Sequence, residues 1–287
     1  MEANRKSGFV ISFTKSIGWI THFVPVFAMI RRLLILAFLS TSFLLAEEKA
    51  SLKIVSYNIH HGEGIDGKLD LPRIAAVIAK ENPDLVTLQE VDKICTRSGG
   101  VDQAAELGKL LKMEHRFGKF MDFQGGEYGM AVLSRLPIKK TTRHELPKGA
   151  EPRCALEIVV QPMGWEKPLS LIGIHNDWTK EEIRVRQVTD LLGKLETIDQ
   201  PVVLAGDFNA EPGSGSLELL KKKGWQTLRK KRANTWPSVK PKVEIDFFIV
   251  RDLPPFTYAE RILDEEVASD HRPIAVKISV SSSKKKP

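Results

Sequence analysis

The sequence predicts one mixed α/β domain over residues 50–280. Short β-rich runs alternate with helix-length amphipathic stretches and turn signals. No linker or internal repeat divides that region, and 287 residues with 42% hydrophobic and 28% charged content suffice for a single large core.

In chain order, residues 52–57 read as a buried strand and 71–80 as a helix with Pro72 in its first turn, where a missing N–H costs nothing. A strand at 84–88 and a helix at 101–112 follow. Strands at 130–134, 153–161 and 169–174, separated by Pro- and Gly-bearing turns, form a meander. Apolar residues at helical spacing mark 179–195, and 202–205 is a continuous apolar strand. Residues 216–223 form a short helix, and 243–250 and 273–280 are the last strands before a basic, disordered tail at 281–287.

The first 46 residues have another character. Met29-Ile30-Arg31-Arg32 precedes an apolar run that ends at Ala46, the layout of a secretory signal peptide, with Met29 as a candidate translation start. Export to the periplasm or medium is expected; an uncleaved N-terminal anchor is the alternative, although the run falls short of the roughly 20 residues that span a bilayer. Without residues 1–46 the chain has 38 basic against 35 acidic side chains, so the net charge of +7 falls to +3. The remaining basicity is local: Lys221, Lys222, Lys223, Arg229, Lys230, Lys231 and Arg232 lie close together, a solvated face or a fragment of a nucleic-acid or anionic-membrane surface. Cys95 and Cys154 lack zinc-ligand spacing and are expected to be structural, paired or free.

Five segments place polar residues at strand ends, where rigid scaffolds hand over to loops. In Ser56-Tyr57-Asn58-Ile59-His60-His61-Gly62, Asn58 can offer a carbonyl oxygen to a hard cation, or simply form a turn. His60 and His61 read as loop residues. Glu90 follows an apolar strand, where a carboxylate is costly unless paired or metal-bound, and Asp92 reads as loop surface. His175 ends another apolar strand and can donate to a phosphoryl oxygen or move a proton. In Val202-Val203-Leu204-Ala205-Gly206-Asp207-Phe208-Asn209, Gly206 permits close backbone approach. Asp207 and Asn209, two apart, face the same way in an extended chain. In Ser269-Asp270-His271-Arg272, Asp270 can bind metal while His271 contacts a phosphate; Asp246, set among apolar residues, is the natural partner of His271.

In this order the segments resemble the endonuclease/exonuclease/phosphatase superfamily, the group of deoxyribonuclease I, abasic-site endonucleases, neutral sphingomyelinases and inositol polyphosphate phosphatases. Gly206-Asp207-Phe208-Asn209 and Ser269-Asp270-His271 are its most specific marks. The resemblance implies two packed mixed β-sheets flanked by helices, with the site where strand ends meet. It also implies Mg²⁺, replaceable by Mn²⁺, on Glu90 with Asn58 and Asp270. Asp207 would orient or deprotonate the attacking water, Asn209 would hold the phosphate, His175 and His271 would stabilise phosphoryl charge, and Asp246 would fix the ring of His271. Arg97 and Tyr128, in runs expected to be loops over the site (97–102 and 125–129), and Arg153 are the candidate substrate contacts; a surface ion pair is the alternative for Arg153.

The expected function is therefore in-line hydrolysis of a phosphate ester, a phosphodiester or nucleic acid first. An exported phospholipid or sphingomyelin diesterase, or a phosphomonoesterase, is the alternative within the family; a binding module that keeps the fold without the chemistry is the alternative outside it. No protein partner is expected, and the chain is expected to be a monomer. Ser269-Asp270-His271-Arg272 lacks the Pro-Ala-Trp of the inositol phosphatase branch.

Overall fold

The computed structural model describes residues 50–228 and 234–281. The expected signal segment at 1–46, the tail beyond Ser281 and the part of the basic run at 229–232 lie outside the described residues.

The apolar runs become the central strands of two six-stranded mixed sheets. The first has the order β11-β12-β1-β2-β4-β3, with β1 (Ala50–Asn58), β2 (Leu85–Lys93), β3 (Glu114–Phe123), β4 (Gly126–Ser134), β11 (Phe256–Ile262) and β12 (Ile274–Val280). The second has the order β5-β6-β7-β8-β10-β9, with β5 (Lys140–Leu146), β6 (Arg153–Val160), β7 (Leu169–His175), β8 (Val202–Asp207), β9 (Gln226–Thr227) and β10 (Asp246–Arg251). β1 pairs parallel with β2, and β7 parallel with β8; each pair is joined through a helix.

Strand alternation builds three apolar layers. Leu52 and Ile54 of β1 meet Leu171, Val203 and Phe248 between the sheets. Val55 and Tyr57 of the same strand pack outward against Ile74, Val77 and Ile78 of α1 (Leu71–Ala79) and Leu107 of α2 (Gln103–Leu111). On the other side, Val202 and Leu204 pack against Val188 and Leu191 of α3 (Glu181–Leu195) and Leu217 and Leu220 of α4 (Gly215–Lys222). Strands buried on both faces are apolar throughout, which is why they show as unbroken runs. Each fully buried Ile or Val contributes roughly 1.5–3 kcal/mol. Asp70 caps α1 by accepting from Arg73 N at 2.8 Å, and Asp102 caps α2 by accepting from Ala105 N at 3.0 Å, as their side chains suit.

Several expectations need correction. β2 runs on to Lys93, so Asp92 is a fully buried strand residue, not loop surface. The glycines at 125–129 do not form a loop over the site: residues from Gly126 on belong to β4. Four strands were not expected, β3, β5, β9 and β11, and all four lie at sheet edges. Beside the basic residues 221–223, Trp225 is buried beneath Arg251, 4.9 Å from its guanidinium, and offers no ring face to a nucleic acid. Cys95 and Cys154 are both buried and free. Among the described residues no helix is long and apolar enough to cross a membrane.

Gly206 is the tightest point in the pairing of β7 with β8. A Cβ there would lie 2.0 Å from the Ile174 carbonyl oxygen, and its φ of +154° is one that side chains rarely adopt. Gly206→Ala is therefore expected to destabilise the domain by about 1–3 kcal/mol or more, read as a lowered thermal midpoint. A variant melting with the wild type would show that the ladder yields freely at this point.

Candidate active site

Three adjacent strands of the second sheet end in one row. His175 is in register with Asp207 across the parallel pair β7 and β8, and Asp207 with Asp246 across the antiparallel pair β8 and β10. From the first sheet, Asn58 ends β1, and Asp270 and His271 lie just before β12. All but Asp270 are buried. The sequence-predicted residues are thus brought to one end of the sandwich.

His271 joins the two sheets. Its Nδ1–H donates to Asp246 Oδ2 at 3.1 Å, and its Nε2 lies 3.7 Å from Asp207 Oδ2. Burial opposes the charged ring, but Asp246, Asp207 and Asp270 outweigh it and raise the imidazole to about 10. Ser269 holds the loop: its hydroxyl donates to the Asn58 carbonyl at 2.7 Å, and its Oγ accepts from His271 N at 3.3 Å. Sequence reading gave Ser269 no role, although it stands inside the motif.

Asp207 is pushed the other way from an ordinary carboxylate. Burial, then the neighbouring charge of Asp246, raise it from 3.8 to about 7 against the pull of His271. Its Oδ1 accepts from Asn209 N at 2.8 Å, and Asn209 Nδ2 donates to the Asn176 carbonyl at 3.1 Å. Asn209 sits at φ 49°, a left-handed conformation that asparagine tolerates. His175 Nε2 lies 3.6 Å from Asp207 Oδ2. Burial, Arg153 and His271 hold the His175 ring well below its ordinary value, so it is neutral.

Asn58 sits between the acids. Its Nδ2 donates to Glu90 Oε1 at 3.0 Å and to Asp207 Oδ2 at 3.3 Å, while its Oδ1 accepts from His60 N at 3.1 Å. The carboxamide thus clamps both carboxylates through its nitrogen, and direct ligation of a cation through oxygen requires the amide to turn over.

Glu90, His175, Asp207, Asn209, Asp270 and His271 line a cavity of about 520 Å³, with Asn58 and Asp246 behind them. Arg97, Tyr128 and Arg153, the candidate substrate contacts, line it too. Arg97 forms two 2.8 Å hydrogen bonds to buried Asp92 and stacks over Phe123 and Tyr128. Arg153 is buried, not at the surface; it donates to Glu151 at 2.7 Å and lies over Phe120 and Tyr128. Trp178 and Trp236 also line it, and the sequence reading placed neither at the site. Trp178 is 63% exposed, and Trp236 donates its indole N–H to Asp270 Oδ2 at 3.2 Å. The signal for Trp178 was its place three residues beyond His175.

A divalent cation fits this donor set. Glu90 and Asp270 both line the cavity, and neither carboxylate has an ion-pair partner among the described residues. Oxygen donors with unbalanced negative charge suit a hard ion.

The endonuclease/exonuclease/phosphatase family model matches residues 55–271, from β1 to His271. The chain belongs to this family. Its members are in general phosphoester hydrolases that use a divalent metal. No curated protein matches the sequence. Among solved structures, an endonuclease/exonuclease/phosphatase from Beutenbergia cavernae DSM 12333 superposes with a TM-score of 0.65 at 23% identity, over 81% of this chain and 72% of that one. A mannosyl-6-phosphatase of Bacteroides thetaiotaomicron VPI-5482 gives 0.64 at 17%, over 79% and 99%. The human nocturnin catalytic domain with bound sulfate gives 0.61 at 16%, over 80% and 93%. At these identities the family members share the fold, two packed mixed sheets flanked by helices.

The raised Asp207 carboxyl makes stability depend on pH. The folded state keeps a proton that the unfolded chain releases from about pH 4. This contribution is present below that pH and lost as pH rises through about 7. Asp207→Asn removes the dependence. Without added metal, the thermal midpoint of the variant relative to the wild type should be higher at pH 8 than at pH 5, by about 3 °C or more, or roughly 1 kcal/mol in a domain of this size. An equal difference at both pH values contradicts the assignment.

Proposed function

We propose that this chain is a divalent-metal-dependent phosphodiesterase, with Mg²⁺ as its ion and Mn²⁺ as a substitute. The observation that carries the reading is His175, Asp207 and His271 together on the cavity wall, with Asp246 in register behind Asp207 and bonded to His271. An ion on Glu90 and Asp270, with Asn58 beside it, would neutralise charge on the phosphoryl and leaving oxygens.

The chain's own groups supply the rest. Asp207, with a pKa near neutrality, takes the proton from the attacking water. Asn209 N–H fixes the orientation of that carboxylate, and the second amide proton on Nδ2 is free to donate to the phosphate. His271, kept protonated by Asp246, donates from Nε2 to a phosphoryl oxygen; neutral His175 contributes a second dipole there. Water then displaces the alcohol in line, without a covalent enzyme intermediate.

Charge favours a diester over a monoester. The two guanidinium groups in the cavity are already paired, Arg97 with Asp92 and Arg153 with Glu151. His271 is paired with Asp246 through Nδ1 but keeps its Nε2–H for a bound phosphate, and one such cationic donor suits a monoanion better than a dianion. The walls of Phe123, Tyr128, Trp178 and Trp236 suit an alcohol with a ring face, such as a nucleoside. A sugar phosphate, the substrate type named for one structural neighbour, is the alternative. Residues 1–46 support action outside the cytoplasm, with a cleaved signal peptide.

With Mg²⁺, bis(p-nitrophenyl) phosphate should be cleaved with a higher kcat/KM than p-nitrophenyl phosphate, and chelator should abolish both activities. Asp207→Ala and His271→Ala should each lower kcat by about 10²–10⁴-fold. Full activity in His271→Ala would sink the mechanism, and a preference for the monoester would favour the sugar phosphate.

A further inference from the structure

Beside the acids, the turn after β1 holds two imidazoles with no role in the mechanism above. His60 and His61 both have φ 45°, and Glu90 has φ 55°. Left-handed backbone in residues other than glycine is costly, and three such residues whose side chains converge mark a functional site. The ligand atoms of His60, His61 and Glu90 lie within 4.8 Å of one another.

The hydrogen bonds fix which nitrogens are available. His60 Nδ1 faces the Glu63 carbonyl at 3.2 Å, an acceptor only, so Nδ1 carries the proton and Nε2 keeps its lone pair. His61 Nε2 faces the Glu63 carboxylate at 3.4 Å and donates to it, which leaves Nδ1 as the lone-pair atom. That Nδ1 is buried without a hydrogen-bond partner among the described residues, and His61 is only 8% exposed. Histidine ligands characteristically donate their other N–H to a carbonyl or carboxylate, and Glu63 provides one of each.

We propose that His60, His61 and Glu90 form a second cation site for a borderline first-row transition ion such as Zn²⁺, adjoining the oxygen-donor site and sharing Glu90 with it. Two imidazoles and one carboxylate suit such an ion and not Mg²⁺. Arg97 is close enough to weaken a cation here, but its charge is already neutralised by Asp92. The inference goes beyond the hydrolase reading and does not rest on it, since it is tested by binding alone.

Co²⁺ is the probe, titrated into the full chain with Mg²⁺ in excess. The wild type should bind one Co²⁺ with the visible spectrum of imidazole ligation. His60→Asn and His61→Asn should each weaken that binding by at least ~10-fold; asparagine accepts the left-handed backbone, so both variants should keep the wild-type melting curve. Binding equal in wild type and variants, or a spectrum of oxygen ligation only, overturns the proposal. An experiment free of substitutions uses wild-type protein with ¹⁵N-labelled histidine. Zn²⁺ should shift one lone-pair ring nitrogen in each of two of the seven histidines, and no shift overturns the proposal. Loss of hydrolysis in Asp207→Asn with Co²⁺ binding intact would separate this site from the catalytic reading.

Discussion

The end of the sandwich that carries the site is governed by crowded negative charge in a place with little water. Asp207 and Asp246 are buried and directly opposite on neighbouring strands, an arrangement that like charges oppose. What makes it tolerable comes from the other sheet: His271, entering β12 of the first sheet, places an imidazolium against both acids of the second. Ser269 ties that loop to the end of β1. The same contacts that tune the proton affinities therefore fix how the two sheets meet at this end, and geometry and electrostatics cannot be altered separately there.

The acids around the cavity meet two fates. Asp92 and Glu151 have arginine partners, and Asp246 has His271. The two arginine pairs are permanent parts of the wall and leave little charge for a substrate, whereas His271 keeps its Nε2 on the cavity side. Glu90 and Asp270 have no such partner among the described residues, and Asp207 meets its imbalance by holding a proton up to about pH 7. A site that keeps some acids balanced and others open is built for an exchangeable cation. The amide of Asn58, donating to Glu90 and Asp207 at once, lowers the repulsion between them while no cation is bound.

The parts legible in the sequence were those where burial leaves a pattern. β1, β7 and β8 have apolar neighbours on both faces and appear as unbroken runs, so their ends, and with them Asn58, His175 and Asp207, were located correctly. β3, β5 and β11 are edge strands, half exposed and rich in charge, as in Lys140-Thr141-Thr142-Arg143-His144-Glu145. Charge at an edge blunts pairing with other chains and erases the apolar signature. Asp92 was misplaced for a related reason: its burial depends on Arg97, five residues on and folded back over it, and periodicity does not register a partner held by a turn. The left-handed turn at His60 and His61 is equally silent, since neither residue type announces a positive φ.

Glu90 shows how far a single backbone irregularity can decide a function. Strict alternation along β2 would send Val86, Leu88 and Glu90 to one face, the one packed against α1 and α2, where a carboxylate has no solvent or partner. The pairing with β4 slips between Leu88 and Val91, so that three steps along β2 match two along β4. The extra residue is a β-bulge, and it passes the apolar position to Val91, which joins the helix-side core. Glu90, at φ 55°, is turned out of the ladder towards the cavity and Asn58. A regular strand of the same composition would bury the acid among apolar side chains and leave the cavity without its unpaired carboxylate. The register slip, more than the presence of a glutamate in an apolar run, is what makes the residue available to a cation.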